Sequence, residues 1–309
     1  MMKLLGVRNV STWSRFPDFV LGWLESKGFE VRACPCRCNK VKDAIHTFKP
    51  TIILWFRLPP LSPALMERVK AEGKMTFILY NWDSSHRFWE ASHVKDLLPF
   101  MDHVFTCNKG EPFTYLLPSA IPIPSPIPLH FSKPFDISIA VTSTYEELEK
   151  YDSRVAIFDA LEADRSIRFG LFGPPWMHTR WKASYQGTLA YVDMETLILS
   201  STLCLTLHGT KNEGYLNERT MIILAYGGAL VIEDMESSRE YFSHGENALI
   251  FGSTGGTREV DSIESLLDLV KEWKRKDLSS LRSNGKALFE SKWSWDRWIN
   301  TFSKCLQEF

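Results

Sequence analysis

The chain has 309 residues, 44% of them hydrophobic and 24% charged, with a formal net charge of -1 at pH 7. Such a length exceeds one ordinary core and suits two domains of roughly 150 residues, and the composition excludes a disordered chain. The longest apolar runs, TIILWF and MIILAY, fall far short of the ~18 residues that suggest a span, and MMKLLGVRNVSTW lacks a signal-peptide core, so a cytoplasmic protein is expected.

In chain order, the periodicity predicts a strand at 3–7, a helix at 17–27, a strand at 29–34 and a helix at 39–48. A buried strand at 51–56, a helix at 62–72 and a strand at 76–80 follow. This alternation implies a parallel sheet with helices on both faces. Ligands collect beyond the carboxyl ends of such strands, which directs attention to RNVSTWSRF (8–16) and NWDSSHRFW (81–89). Residues 116–134 contain six prolines; a proline at nearly every second position makes a semi-rigid extended connector. The domain boundary is expected there, with an acceptor-side domain at 1–130 and a second domain at 131–290.

The second domain restarts the alternation, with strands at 136–141, 167–173, 203–207 and 248–252 and helices at 145–162 and near 193–200. Helices at 262–276 and 278–291 precede a tryptophan-rich tail, 291–309, read as a helix packing back across the lobes. The fold class expected is α/β, two doubly wound parallel sheets facing a cleft. Residues 1–130 hold 16 Lys+Arg against 11 Asp+Glu, and the remainder 20 against 26. A first domain facing an anionic acceptor fits this imbalance, with nucleic acid as the weaker option. Cys34, Cys36 and Cys38 lack the second ligand pair of a zinc site, and free thiols are the default.

The chemistry concentrates in EGYLNERTMIILAYGGALVIED, residues 213–234. Asn217 is a good N-cap, which places Glu218 and Arg219 in the first helical turn. A cation there opposes the helix dipole unless something negative lies in front of it, as a phosphate would. Arg219 and Lys211 then make an anion site, and Glu218 is suited to accept hydrogen bonds from ribose hydroxyls, a pattern that fits a nucleoside diphosphate. Gly227 and Gly228 end the helix in a left-handed turn. Gly173, in the loop FGPPW after a strand, walls a base or sugar pocket or makes a turn. Neither a P-loop nor a strand-linked G-x-G-x-x-G occurs, and no D-x-D is present to hold a divalent ion.

From FDISIAV through IRFGLFGPPW, CLTLHG, NERTMIILAYGGALVIED and REYFSHGENALIF, the sequence resembles the carboxyl half of CgeB-like glycosyltransferases of the GT-B fold (family 4-like). TFILYNWDSSHRF and VFTCNKGEP extend the resemblance into the first domain. It implies two Rossmann-like domains, a nucleotide-sugar donor in the second, and transfer to a glycan or other hydroxyl acceptor without a metal or other cofactor, with retention. It also implies that Asn217 and Arg219 lie at the donor diphosphate, with the turn at Gly227 closing the helix; His208, Tyr215 and Gly173 are further donor-binding candidates. One departure stands out: the family's ribose-binding glutamate position holds Ile222, so Glu218 or Glu213 would take over.

The same helix is similar, in register, to the Tyr-x-Thr-Glu-Lys helix of fucosyltransferases, in which Glu218 and Arg219 form the functional pair. That frame implies an inverting enzyme using a GDP-sugar. The sequence supports either frame, and a catalytically dead nucleotide- or sugar-binding relative is the third reading. An inverting reaction needs a general base from the first domain, for which Asp83 and His86 are the candidates, with Asp18 and Glu90 behind them.

Overall fold

A computed structural model of the chain describes residues 2–8, 16–35, 37–56, 62–71, 73–81, 96–106, 115–116, 135–141, 152–190, 193–208, 215–252 and 259–308. The chain divides into two compact units. The first comprises Met1–Ala120, Asn212–Tyr215 and Trp295–Phe309; the second comprises Ile121–Lys211 and Leu216–Ser294.

Unit 1 begins with β1 (Lys3–Arg8), α1 (Phe16–Ser26), β2 (Glu30–Pro35), α2 (Cys38–Phe48), β3 (Ile52–Phe56), α3 (Pro63–Ala71) and β4 (Thr76–Asn81). These lie within a residue or two of the predicted spans. Two strands were not anticipated, β5 (His103–Thr106) and the two-residue β6 (Tyr115–Leu116). The sheet runs β2-β1-β3-β4-β5-β6, every pair parallel. Helices on both faces of such a sheet leave its centre no solvent side, and β3 is accordingly apolar and buried at every position. The edge strand β2 carries Glu30 and Arg32 and is largely open, which discourages pairing with another chain.

Strand alternation sorts the core of this unit. Leu5, Val7, Ile53, Trp55, Phe77 and Leu79 pack with Val41, Ile45 and Phe48 of α2 and with Met66 and Val69 of α3. Tyr80 and Phe105 meet the carboxyl-terminal helix Trp295–Gln307 instead. The Trp298 ring lies 5.9 Å from that of Tyr80, and the Phe302 ring 4.7 Å edge-on from that of Phe105.

Unit 2 contains β7 (Phe135–Ala140), α4 (Asp152–Ala163), β8 (Phe169–Phe172), β9 (Tyr185–Gly187), α5 (Met194–Leu199) and β10 (Ser201–Thr206). There follow α6 (Glu218–Ala225), β11 (Leu230–Glu233), α7 (Glu236–Tyr241), β12 (Leu249–Phe251), α8 (Glu259–Trp273) and α9 (Ser279–Trp293), while Trp295–Gln307 is α10. The sheet order is β12-β11-β10-β7-β8-β9, again all parallel. Numbered from β7, this is 3-2-1-4-5-6, the order of dinucleotide-binding folds, and its winding reverses between β7 and β10. The predicted helix at 145–162 is described from Asp152 onward. The short β9 and α7 escaped the periodicity because YQG and ESSREY, unlike the equally short β12 and α5, are too polar to show an apolar pattern. The proline-rich connector beyond Leu116 lies outside the described residues. Among the described residues, no helix is long and apolar enough to cross a membrane.

Candidate functional site

The winding reverses between β7 and β10, and doubly wound sheets take their ligands beyond the carboxyl ends of the strands at such a reversal. β10 delivers Thr206, Leu207 and His208 to that edge, and α6 starts beside it. The link between strand and helix is a chain of buried hydrogen bonds. Asn217, 8% exposed, caps α6: its Oδ1 accepts from the backbone N–H of Thr220 at 3.0 Å and from the Thr220 hydroxyl at 3.1 Å. The Thr206 hydroxyl donates to the same oxygen at 3.0 Å, and Asn217 Nδ2 donates to the carbonyl of Leu207 at 3.1 Å. One side chain thereby fastens the helix start to the strand end.

His208, also buried, continues the chain. Its Nε2 accepts the backbone N–H of Asn217 at 3.1 Å, while its own backbone N–H donates to Glu233 Oε2 at 2.9 Å. A buried Arg154 on α4 donates from Nη2 to the Leu207 carbonyl at 3.1 Å. A backbone N–H bonded to Nε2 requires a lone pair on that nitrogen, so the imidazole proton sits on Nδ1.

The two acids that close the quoted segment separate in role. Glu233, at the end of β11 and 7% exposed, holds the β10 terminus through His208. Asp234 pairs with Arg239 at 2.6 and 2.9 Å. Glu233, Thr206, Thr220 and Arg154 were not singled out by the sequence. Glu233 had a signal, an acid ending an otherwise apolar strand, but its partner lies 25 residues back.

Glu218 and Arg219 occupy the first turn of α6, partly buried, as the capping pattern predicts. Ile222 is 1% exposed and packs inward. The helix ends at Gly227, whose φ of 73° is left-handed. Gly228 follows, its N–H bonded to the Ile223 carbonyl at 2.8 Å. A Cβ on Gly228 would stand 2.6 Å from Ile198 Cγ2 and 2.9 Å from Ile223 Cγ2, so glycine is what lets α6 turn back against α5.

Gly173 follows β8. Its N–H bonds the carbonyl of Gly187 at 3.0 Å, and its own carbonyl accepts from Tyr185 Oη and Thr188 Oγ1. Tyr215 is 9% exposed. Lys211, Glu213, Asp83, His86 and Glu90 lie outside the described residues. Asp18 pairs with Arg8 at 2.9 Å. Among the described residues there is no group of three or more His, Cys, Asp or Glu that could hold a metal. Cys34 is a buried free thiol, which burial pushes above its ordinary pKa.

Residues 154–304 match the family model described as glycosyl transferase-like. No curated protein sequence matches the chain. Among solved structures, sucrose-phosphate synthase from Thermosynechococcus elongatus superposes with a TM-score of 0.73 at 8% identity, over 100% of this chain and 99% of that one. Anabaena HepE in complex with UDP and glucose gives 0.68 at 10% identity, with full coverage of both chains. A glycosyltransferase from Rickettsia africae gives 0.65 at 9% identity, over 99% and 98%. At these identities the likeness establishes the fold, two parallel-sheet α/β units of GT-B type.

Proposed function

We propose that the chain transfers a sugar from a nucleoside diphosphate donor to an acceptor hydroxyl, with the donor held by unit 2 at the start of α6. The observation that carries this reading is the placement of Arg219 in the first turn of a helix capped and bolted to the carboxyl end of β10, at the winding reversal of the sheet. The helix dipole and Arg219 together compensate the leaving diphosphate, so the reading assigns that role to no metal. Glu218 is the acid for the ribose, because the alternative position holds the inward-packed Ile222. The Glu218–Arg219 pairing is taken from the fucosyltransferase-like frame for the donor contacts alone, while the stereochemistry follows the similarity to CgeB-like enzymes.

UDP is the first nucleotide to test, since HepE has been solved with UDP and glucose and with UDP-glucose. Reaction with retention is proposed, in which Asp83 and His86 are not needed as a base. An inverting reaction with a GDP-sugar is the alternative, and in it they are. The acceptor is assigned to unit 1 as a glycan or other hydroxyl compound, anionic where the basic excess of residues 1–130 meets it.

Calorimetric titration of UDP and GDP, each with and without EDTA, tests the donor assignment. Binding unaffected by EDTA is expected; loss of binding with EDTA would overturn metal independence. Arg219→Ala is expected to lower transfer by about a hundredfold or more while the melting temperature holds. Unchanged turnover in that variant would remove the phosphate assignment.

A further inference from the structure

Among the described side chains joining β10 to α6, His208 is the one imidazole, the group whose hydrogen-bonding sense reverses on protonation. Its Nε2 accepts the N–H of Asn217, the residue whose side chain caps α6 and ties it to Thr206 and Leu207. Its backbone N–H is held in turn by the buried carboxylate of Glu233. The residue is therefore held at two points, its backbone N–H on β11 and its acceptor ring nitrogen on the helix cap.

We propose that His208 is a positioning residue for the donor: in its neutral, Nδ1–H form it sets the start of α6, and its protonation releases the cap and weakens donor binding. The inference rests on the functional reading above, which places the donor at that helix start. Protonating Nε2 replaces an acceptor by a donor facing the Asn217 N–H, so a bond of 3.1 Å becomes a contact between two donors. Asn217 shifts, and the first turn bearing Glu218 and Arg219 shifts with it. Donor binding thereby becomes coupled to the loss of one proton.

The charged groups on the described elements that meet here are Arg154 on α4, Glu233 and Asp234 at the end of β11, Arg239 on α7 paired with Asp234, and Glu218 and Arg219 on α6. Of these, the carboxylates favour the imidazolium and the guanidinium groups oppose it. The N–H of Asn217 is bonded to Nε2 of His208. Glutamine at this position carries an amide oxygen about as far from the backbone as Nε2 and does not titrate, whereas leucine fills the space without an acceptor.

The test is UDP titration of the full chain from about pH 8 to about pH 5, the span over which imidazoles titrate. Wild type, His208→Gln and His208→Leu are compared. Wild-type affinity is expected to fall on acidification. His208→Leu is expected to lose about tenfold at pH 8, the worth of one hydrogen bond, and to show little further loss. His208→Gln is expected to restore most of that affinity and to hold it down to pH 5.

Acid weakening that persists unchanged in His208→Gln would overturn the proposal. So would wild-type affinity in a folded His208→Leu protein. Two readouts need no nucleotide: the ring-nitrogen shifts of His208, expected to report Nδ1–H at pH 8, and the exchange rate of the Asn217 amide, expected to rise on acidification in wild type and not in His208→Gln. If no form binds UDP or GDP, the functional reading fails, and these two still decide whether His208 sets the cap. An imidazole protonated on Nε2 at pH 8 would sink the proposal by itself.

Discussion

Asp136 shows what a single buried charge does in unit 2. Burial opposes its charge, but hydrogen bonds from Arg168 and Lys274 outweigh that and hold its carboxyl below the usual range. The contacts are 2.8 Å to Arg168 and 3.2 Å to Lys274, whose own side chain is only 12% exposed. Asp136→Ala would leave that ammonium with the Ser166 carbonyl but no counter-charge, and a loss of about 3 kcal/mol is expected, read as a lowered denaturation midpoint. Asp164 is a more exposed case. Hydrogen bonds from Lys271 and then Ser166 hold its carboxyl at about 2, below the ordinary 3.8. A depressed carboxylate contributes stability that is fully present above its unfolded pKa and is lost as pH falls through the folded one. The stability of the wild type should therefore decline between about pH 4 and about pH 2, and Asp164→Asn should flatten that part of the profile. The side chains of Asn217 and His208 teach a related lesson at the site. Sequence reading placed both at the donor, and the Asn217 cap was legible from its position before Glu218. Their bonds to Thr206, Leu207 and Glu233 were not, because each partner sits on a different strand or loop.

Helix α6 and its turn carry the element-scale result. Local chemistry specifies both ends: an Asn cap at the start and a left-handed glycine at the finish. The two glycines nevertheless do different work. Gly227 meets nothing closer than 3.8 Å and is needed for its φ, so Gly227→Ala should cost about 1 kcal/mol in backbone strain. Gly228 has ordinary φ and no room, with the Ile223 carbonyl oxygen also 3.2 Å from a Cβ. Gly228→Ala should cost about 1–3 kcal/mol through overpacking and should be partly relieved by Ile198→Leu, which removes the Cγ2 methyl that the new Cβ strikes. A denaturation series on wild type, Ile198→Leu and each glycine variant on both backgrounds separates the two causes: relief by Ile198→Leu at Gly228 but not at Gly227. The sequence showed a glycine turn; which glycine is conformational and which is steric depends on α5, packed there by the sheet.

Across the whole molecule, the carboxyl-terminal segment is the clearest instance of chain order and spatial order parting. Trp295–Phe309 follows unit 2 in sequence and groups with unit 1. Trp298, Ile299, Phe302 and Leu306 are buried, and Phe302 lies against Phe105 and Tyr80. Phe302→Ala should lower the stability of unit 1 by about 3–5 kcal/mol, the usual cost of truncating a buried ring. Loss of the unit 1 transition in a melt, with that of unit 2 unmoved, would confirm where α10 belongs; an unchanged melt would refute it. The tryptophan-rich tail was legible as packing, since aromatic residues at helical spacing bury themselves. Which sheet they cover was not.

The sequence by itself determined the alternation of strands and helices, two parallel sheets, the glycine turn and the helix whose first turn holds Glu218 and Arg219. All of these follow from period, capping and turn residues, which act over a few neighbours along the chain. Only the tertiary structure decided the strand order, with its reversal between β7 and β10, the return of α10 to unit 1, and the Glu233–His208–Asn217 chain that fixes the start of α6. Those depend on hydrogen bonds and packing between residues from nine to more than two hundred positions apart, and neither the strength nor the choice of such contacts leaves a local pattern to read.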